Sequence, residues 1–136
     1  MTAATLDTAA GAAVYSPALL AIYDFWVLGL SNHLIWKCPT RRLLTHYNTH
    51  LSGNHLDVGV GTGWFLDRCR FPTRNPRLVL MDLNPQSLAW TARRVARLRP
   101  ESVRHDVLTP IAQSDGWAGR RFASIGLNYL LHCLPG

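Results

Sequence analysis

Seven residues constrain this chain more than any others: Asp57-Val58-Gly59-Val60-Gly61-Thr62-Gly63. An apolar strand pattern, His55 to Val60, leads into them, and a helical pattern, Gly63 to Arg70, leads out. Glycines at 59, 61 and 63 let the backbone turn tightly and let a ligand approach where a Cβ would clash. A strand, a glycine-rich turn and a helix in that order make a general nucleotide cradle. Three glycines can also be no more than a turn, so the residues around them decide the reading.

Those residues alternate strand and helix. Arg77 to Asp82 is an apolar run of strand length, typical of a strand covered on both faces. Asn84-Pro85 opens a helix over Gln86 to Leu98, with Leu88, Ala92, Val95 and Ala96 as its buried stripe and Arg93, Arg94 and Arg97 outward. Ser102 to Val107 and Phe122 to Leu130 read as third and fourth strands. This is the pattern of an α/β, Rossmann-like, doubly wound parallel sheet, with right-handed crossovers placing helices on both faces. Upstream, Ser16-Pro17 starts a helical region reaching Trp36, and Pro39-Thr40 starts another helix running to about His50. We expect a helical cap over residues 1–52 and a nucleotide-binding half domain over residues 53–136.

Composition narrows the setting. A chain of 136 residues, 48% hydrophobic and 16% charged, has room for one globular domain and is not disordered or fibrous. Cys38, Cys69 and Cys133 are widely spaced, with no Cys-x-x-Cys, and make neither a disulfide framework nor a zinc cluster. A reducing, cytoplasmic compartment is expected. The apolar stretch from Thr8 to Trp36 is broken by Ser16-Pro17 and Asp24, which makes it a poor membrane span. The net charge of +6 comes from a body rich in arginine. No basic cluster has interleaved aromatics, so a solvated surface is expected rather than a nucleic-acid face.

The ligand follows from the acids. Gly-x-Gly-x-Gly is not the dinucleotide spacing, and Asp57 beside the turn would repel a pyrophosphate. S-adenosylmethionine has no phosphate, and its sulfonium and ammonium groups suit a nearby carboxylate. Asp82 ends the second strand where doubly wound folds place a carboxylate against ribose hydroxyls, and a carboxylate accepts well from a cis-diol. Asp106 could accept from an adenine amino group while Val107 covers the ring. Each acid also has a plain structural alternative: a loop brace for Asp57, a helix N-cap for Asp82, a turn residue for Asp106.

Asp57 to Gly63 resembles the first motif of class I S-adenosylmethionine-dependent methyltransferases. Leu80 to Leu88 resembles their second motif, Arg104 to Val107 the third, and Phe122 to His132 the fourth-strand motif, in the right order and spacing. The N-terminal helices resemble the variable cap of small-molecule members. The resemblance implies that Gly59, Gly61 and Gly63 line the methionine part, with Asp57 near its amino group. It implies Asp82 on the ribose, Leu83 on the adenine, and Asp106 and Val107 at the adenine amino group and ring. Asn128 would face the methionine part and Tyr129 the active-site mouth, while Tyr15 and Tyr23 would close over the cofactor. His132 is the candidate base. His46 and His50, four apart on a helix, lack an evident third ligand, so no metal is expected. Cys133 is expected to be buried rather than nucleophilic, and Trp36 and Trp64 to line an apolar pocket or join the core.

The implied fold has seven strands, and this sequence reaches the fourth. Strand four is then an exposed apolar edge, expected to pair across a homodimer or with a complementing C-terminal chain. The implied function is methyl transfer from S-adenosylmethionine to a small-molecule acceptor, leaving S-adenosylhomocysteine. The alternatives are a catalytically silent cofactor-binding subunit that needs a partner, and an RNA or protein methyltransferase. The latter is weakened by Gly126-Leu127-Asn128-Tyr129 where base-modifying members carry an Asn-Pro-Pro-Tyr type motif. A nicotinamide oxidoreductase is disfavoured by the glycine spacing and Asp57.

Overall fold

The computed structural model describes residues 22, 32, 37–112, 116–128 and 130. Helix α1 (Thr40–His50) precedes strand β1 (Asn54–Val58), helix α2 (Trp64–Arg68), strand β2 (Arg77–Asp82), helix α3 (Pro85–Arg94), a 3-10 turn (Ala96–Leu98), β3 (Glu101–Arg104) and β4 (Ser124–Gly126). The four strands are parallel, in the order β3-β2-β1-β4. The architecture is α/β and Rossmann-like, as the alternation implies.

The apolar run of β2 explains its central place. Leu78, Val79, Leu80 and Met81 are all buried, which only a strand covered on both faces allows. Alternation sends Leu78 and Leu80 into one core with Tyr47, Leu51, Val60, Phe65, Leu66, Leu88 and Val95. Val79 and Met81 join Leu56 and Val58 on the other face, where Val103, Trp117, Phe122 and Leu130 pack. Each fully buried leucine contributes about 1.5–3 kcal/mol, so β2 is the anchor of the sheet.

Among the described residues, α1, α2 and α3 all send side chains into the first core, and none into the second. The reason is topological. The β1–α2–β2–α3–β3 crossovers progress in one direction with one hand, so both helices fall on one face. The chain then crosses back past β1 to reach β4, and Trp117 and Phe122 of that connection cover the opposite face. The order reverses between β1 and β4, and the crevice beyond their carboxyl ends is where open α/β sheets bind ligands.

Several boundaries differ from those expected. β1 ends at Val58, and the Gly59 N–H continues the ladder by donating to the Met81 carbonyl at 2.8 Å. β3 stops at Arg104 because Asp106 starts a turn of its own, its Oδ1 accepting from the Leu108 N–H at 3.0 Å. β4 is three residues long, with Ile125 57% exposed at the sheet edge. The expected long helix stops at Arg94, the 3-10 turn takes over, and Ala96 is exposed while Ser87 and Thr91 are buried. Arg94 and Arg97 do not point into solvent alone: both reach Asp67 of α2.

Candidate functional site

The glycine loop leaves β1 at the switch between β1 and β4. Its three glycines all have positive φ, from +52° to +70°. Gly63 caps α2, and a Cβ on it would lie 2.6 Å from Thr91 Cγ2. A Cβ on Gly59 would strike Leu130 at 2.7 Å. Gly61 differs: a Cβ there meets nothing within 4 Å, so this is the glycine that faces open space. Helix α3 holds the loop from behind. Thr91 Oγ1 donates to the Gly61 carbonyl at 3.1 Å, and Arg94 Nη1 donates to the Thr62 carbonyl at 3.0 Å.

Asp82 sits beside this loop at the carboxyl end of β2. Its Oδ1 accepts from the Asn84 N–H at 2.9 Å. Burial raises its carboxyl above the ordinary range, and the N–H groups of Asn84, Gly61, Val60 and Leu83 pull it part of the way back. The N-cap of α3 is Asn84, whose side chain accepts from the Gln86 N–H at 2.8 Å, so Asp82 is not the cap. A half-buried carboxylate at the loop is the acceptor a ribose diol would require.

Asp57 is buried, on the β1 face that α1 covers. The Tyr47 hydroxyl donates to its Oδ1 at 3.0 Å and lies 2.9 Å from His55 Nε2. His55 Nδ1 is 2.7 Å from Ser124 Oγ, which donates to Ser52 Oγ at 2.9 Å. Burial, and then the charge of Asp57, push the Tyr47 phenol far above its ordinary value, so it stays a donor. The same two causes push the Cys69 thiol up to about 12, which makes it inert as a nucleophile. Sequence reasoning missed this group. Its signal was His55 and Asp57, two polar residues on one face of an otherwise apolar buried strand.

The remaining expectations divide. Leu83 follows Asp82, and its carbonyl accepts from Arg104 Nε at 3.2 Å. Asp106 is half-buried and fixes its own turn, and Val107 is 40% exposed beside it. Asn128 lies beyond β4 and lines a cavity of about 210 Å³ with Leu43, His46, Tyr47, Phe65 and Leu127. The His46 and His50 rings are 4.5 Å apart, and among the described residues no three His, Cys, Asp or Glu side chains gather to hold a metal. Trp64 is half-buried at the first core, with the Arg68 guanidinium 4.5 Å above its ring. Tyr15, Tyr23, Trp36, Tyr129, His132 and Cys133 lie outside the described residues. Among the described residues no helix is long and apolar enough to cross a membrane.

No protein-family model matches the chain, and no solved structure matches it. Curated relatives do. The Physcion biosynthesis cluster O-methyltransferase of Aspergillus chevalieri is 42% identical over 130 residues, 95% of this chain and 57% of the relative. The Demethylluteothin O-methyltransferase of Streptomyces thioluteus is 42% identical over 126 residues, 93% of this chain and 53% of the relative. Methyltransferase ctvB of Aspergillus terreus is 40% identical over 129 residues, 90% of this chain and 54% of the relative. The chain spans about half the length of the curated relatives it matches. Over that shared half, which holds the glycine loop and Asp82, the chain is similar to proteins named as O-methyltransferases.

Proposed function

We propose that this chain is the cofactor-binding part of an S-adenosylmethionine-dependent methyltransferase that methylates a hydroxyl of a small-molecule acceptor. The observation that carries the reading is Asp82 held at the glycine loop, beside the one of its three glycines that faces open space. The relatives' names support the reaction and the oxygen acceptor.

The cofactor supplies the activated methyl group. The chain's own residues bind and orient. Asp82 accepts from the ribose hydroxyls, Leu83 packs on the adenine, and Asp106 and Val107 meet its amino group and ring. Gly61 lets the methionine part pass, Asp57 holds its ammonium, and Asn128 faces it from just beyond β4. Tyr15 and Tyr129 complete the cofactor wall, and His132 takes the acceptor's proton. Alignment of acceptor, methyl and sulfur accounts for up to roughly 7–11 kcal/mol of the barrier, and a base adds about 10²–10⁴ in rate. The free thiols of Cys38 and Cys69 support a reducing, cytoplasmic setting.

Calorimetric titration with S-adenosylhomocysteine tests the reading. Asp82→Ala is expected to weaken binding at least about tenfold, the scale of lost charge-assisted hydrogen bonds. Equal affinities would remove Asp82 from the site.

The partner proposal concerns β4. Among the described residues no strand pairs with its outer edge, and Ile125 and Leu127 are exposed there. We propose that a C-terminal chain segment, corresponding to the rest of the relatives' length, adds a strand at this edge. Sedimentation of the chain alone, with and without Ile125→Lys, checks it. Self-association that the lysine leaves unchanged would place the contact elsewhere.

A further inference from the structure

Tyr47 touches both flanks of the glycine loop. Its hydroxyl donates to Asp57 in β1, just before the loop. Its ring stacks on Phe65 of α2, just after the loop, with centroids 5.7 Å apart and planes at 27°. Its oxygen also lies 2.9 Å from His55 Nε2, a second contact that holds the phenol in place. His55 is 2% exposed, and its other nitrogen is held by Ser124. Even β4 makes room: a Cβ on Gly126 would lie 2.6 Å from Asp57 Oδ1.

The contacts converge on one oxygen. Tyr47 meets Oδ1 at 3.0 Å, and His55 Nε2 lies 3.6 Å from the same atom. Neither contact engages Oδ2. A buried carboxylate with one oxygen pinned has one rotamer, and a cation arriving at the other oxygen need not order it first.

We propose that Tyr47 and His55 are positioning residues for Asp57: they turn Oδ2 toward the loop opening and so set recognition of the ammonium end of the bound cofactor. The proposal rests on the S-adenosylmethionine reading, and neither residue touches the cofactor itself. Tyr47→Phe keeps the ring on Phe65 and removes only the hydroxyl. The Asp57 carboxylate is then free to rotate.

Titration with two ligands tests this. S-adenosylhomocysteine carries the ammonium; 5′-methylthioadenosine keeps the nucleoside and thioether but lacks the amino acid. Tyr47→Phe is expected to weaken the first about tenfold and the second less than twofold. In an Asp57→Asn background the same substitution is expected to add nothing, because its effect passes through the carboxylate. His55→Asn is too short to reach the Tyr47 oxygen and is expected to repeat the pattern, which keeps the test alive if Tyr47→Phe does not fold. Equal loss for both ligands, unchanged S-adenosylhomocysteine affinity, or a full effect in the Asp57→Asn background would overturn the proposal. A parent chain that binds neither ligand would defeat the cofactor reading, and this proposal with it. A parent that binds both, with variants that do likewise, would defeat this proposal alone.

Discussion

Thr91 reaches across from α3 to Gly63, leaving no space for a side chain: a Cβ at Gly63 would sit 2.6 Å from Thr91 Cγ2. The same threonine donates to the Gly61 carbonyl at 3.1 Å. One side chain thus sets both the closeness of helix to loop and the path of the loop.

Gly63→Ala is expected to lose about 2–4 kcal/mol of unfolding free energy, combining the left-handed φ of +70° with the clash. Adding Thr91→Ser removes Cγ2 and is expected to restore part of it. Urea unfolding of the two variants measures both effects. A fully stable Gly63→Ala would mean the helix can move away freely.

Gly61→Ala separates folding from binding. Its Cβ meets nothing, so only the φ of +52° counts, at about 1–2 kcal/mol. Binding of S-adenosylhomocysteine is expected to fall more than tenfold, since the Cβ enters the space assigned to the methionine part. Retained affinity in a folded variant would place the ligand elsewhere.

Asp67 shapes the acid limb of stability. Burial alone would raise its carboxyl, but the Arg97 hydrogen bond and the charges of Arg94 and Arg97 outweigh it and hold it below the ordinary 3.8. A depressed folded value means the contribution is present above 3.8 and is lost as pH falls through the folded value. Asp67→Asn is expected to cost about 1 kcal/mol at pH 7, with the gap to the parent closing in acid. Urea midpoints across pH read this directly, and a gap that widens in acid would reverse the sign.

Asp82 carries the opposite sign. Burial raises its folded value above 3.8, so ionising it costs stability as pH rises from 3.8 through that value. Ribose hydroxyls donating to the ionised form would offset that cost. The side-chain carboxyl resonance is therefore expected to titrate above 3.8 in the free chain and to move downward when S-adenosylhomocysteine is added. An unchanged midpoint on saturation would separate the carboxylate from the ligand.

Much of the fold was legible from local chemistry. The apolar run Leu78–Met81 announced a strand buried on both faces, and Asn84-Pro85 announced the start of α3. The glycine loop and Asp82 were legible as partners because right-handed crossovers bring the ends of adjacent parallel strands together. The lengths of β3 and β4 were not. Apolar residues 122–130 read as one long strand, but a strand needs a neighbour for each N–H and C=O, and β1 pairs with only three of them. Asp106 was read either for a ligand or as a turn residue, and its side chain does close its own turn, which ends β3 early.

Sequence alone determined the alternation of strand and helix, the loop that must be glycine, and the two acids at the strand ends, because propensity and periodicity are local. Only tertiary structure decided which glycine faces open space, and that Tyr47, His55 and Ser124 gather around Asp57. Those residues come from α1, β1 and β4, and His55 and Ser124 are 69 positions apart. A contact at that separation exists only once the sheet has paired β4 beside β1 and α1 has closed over both.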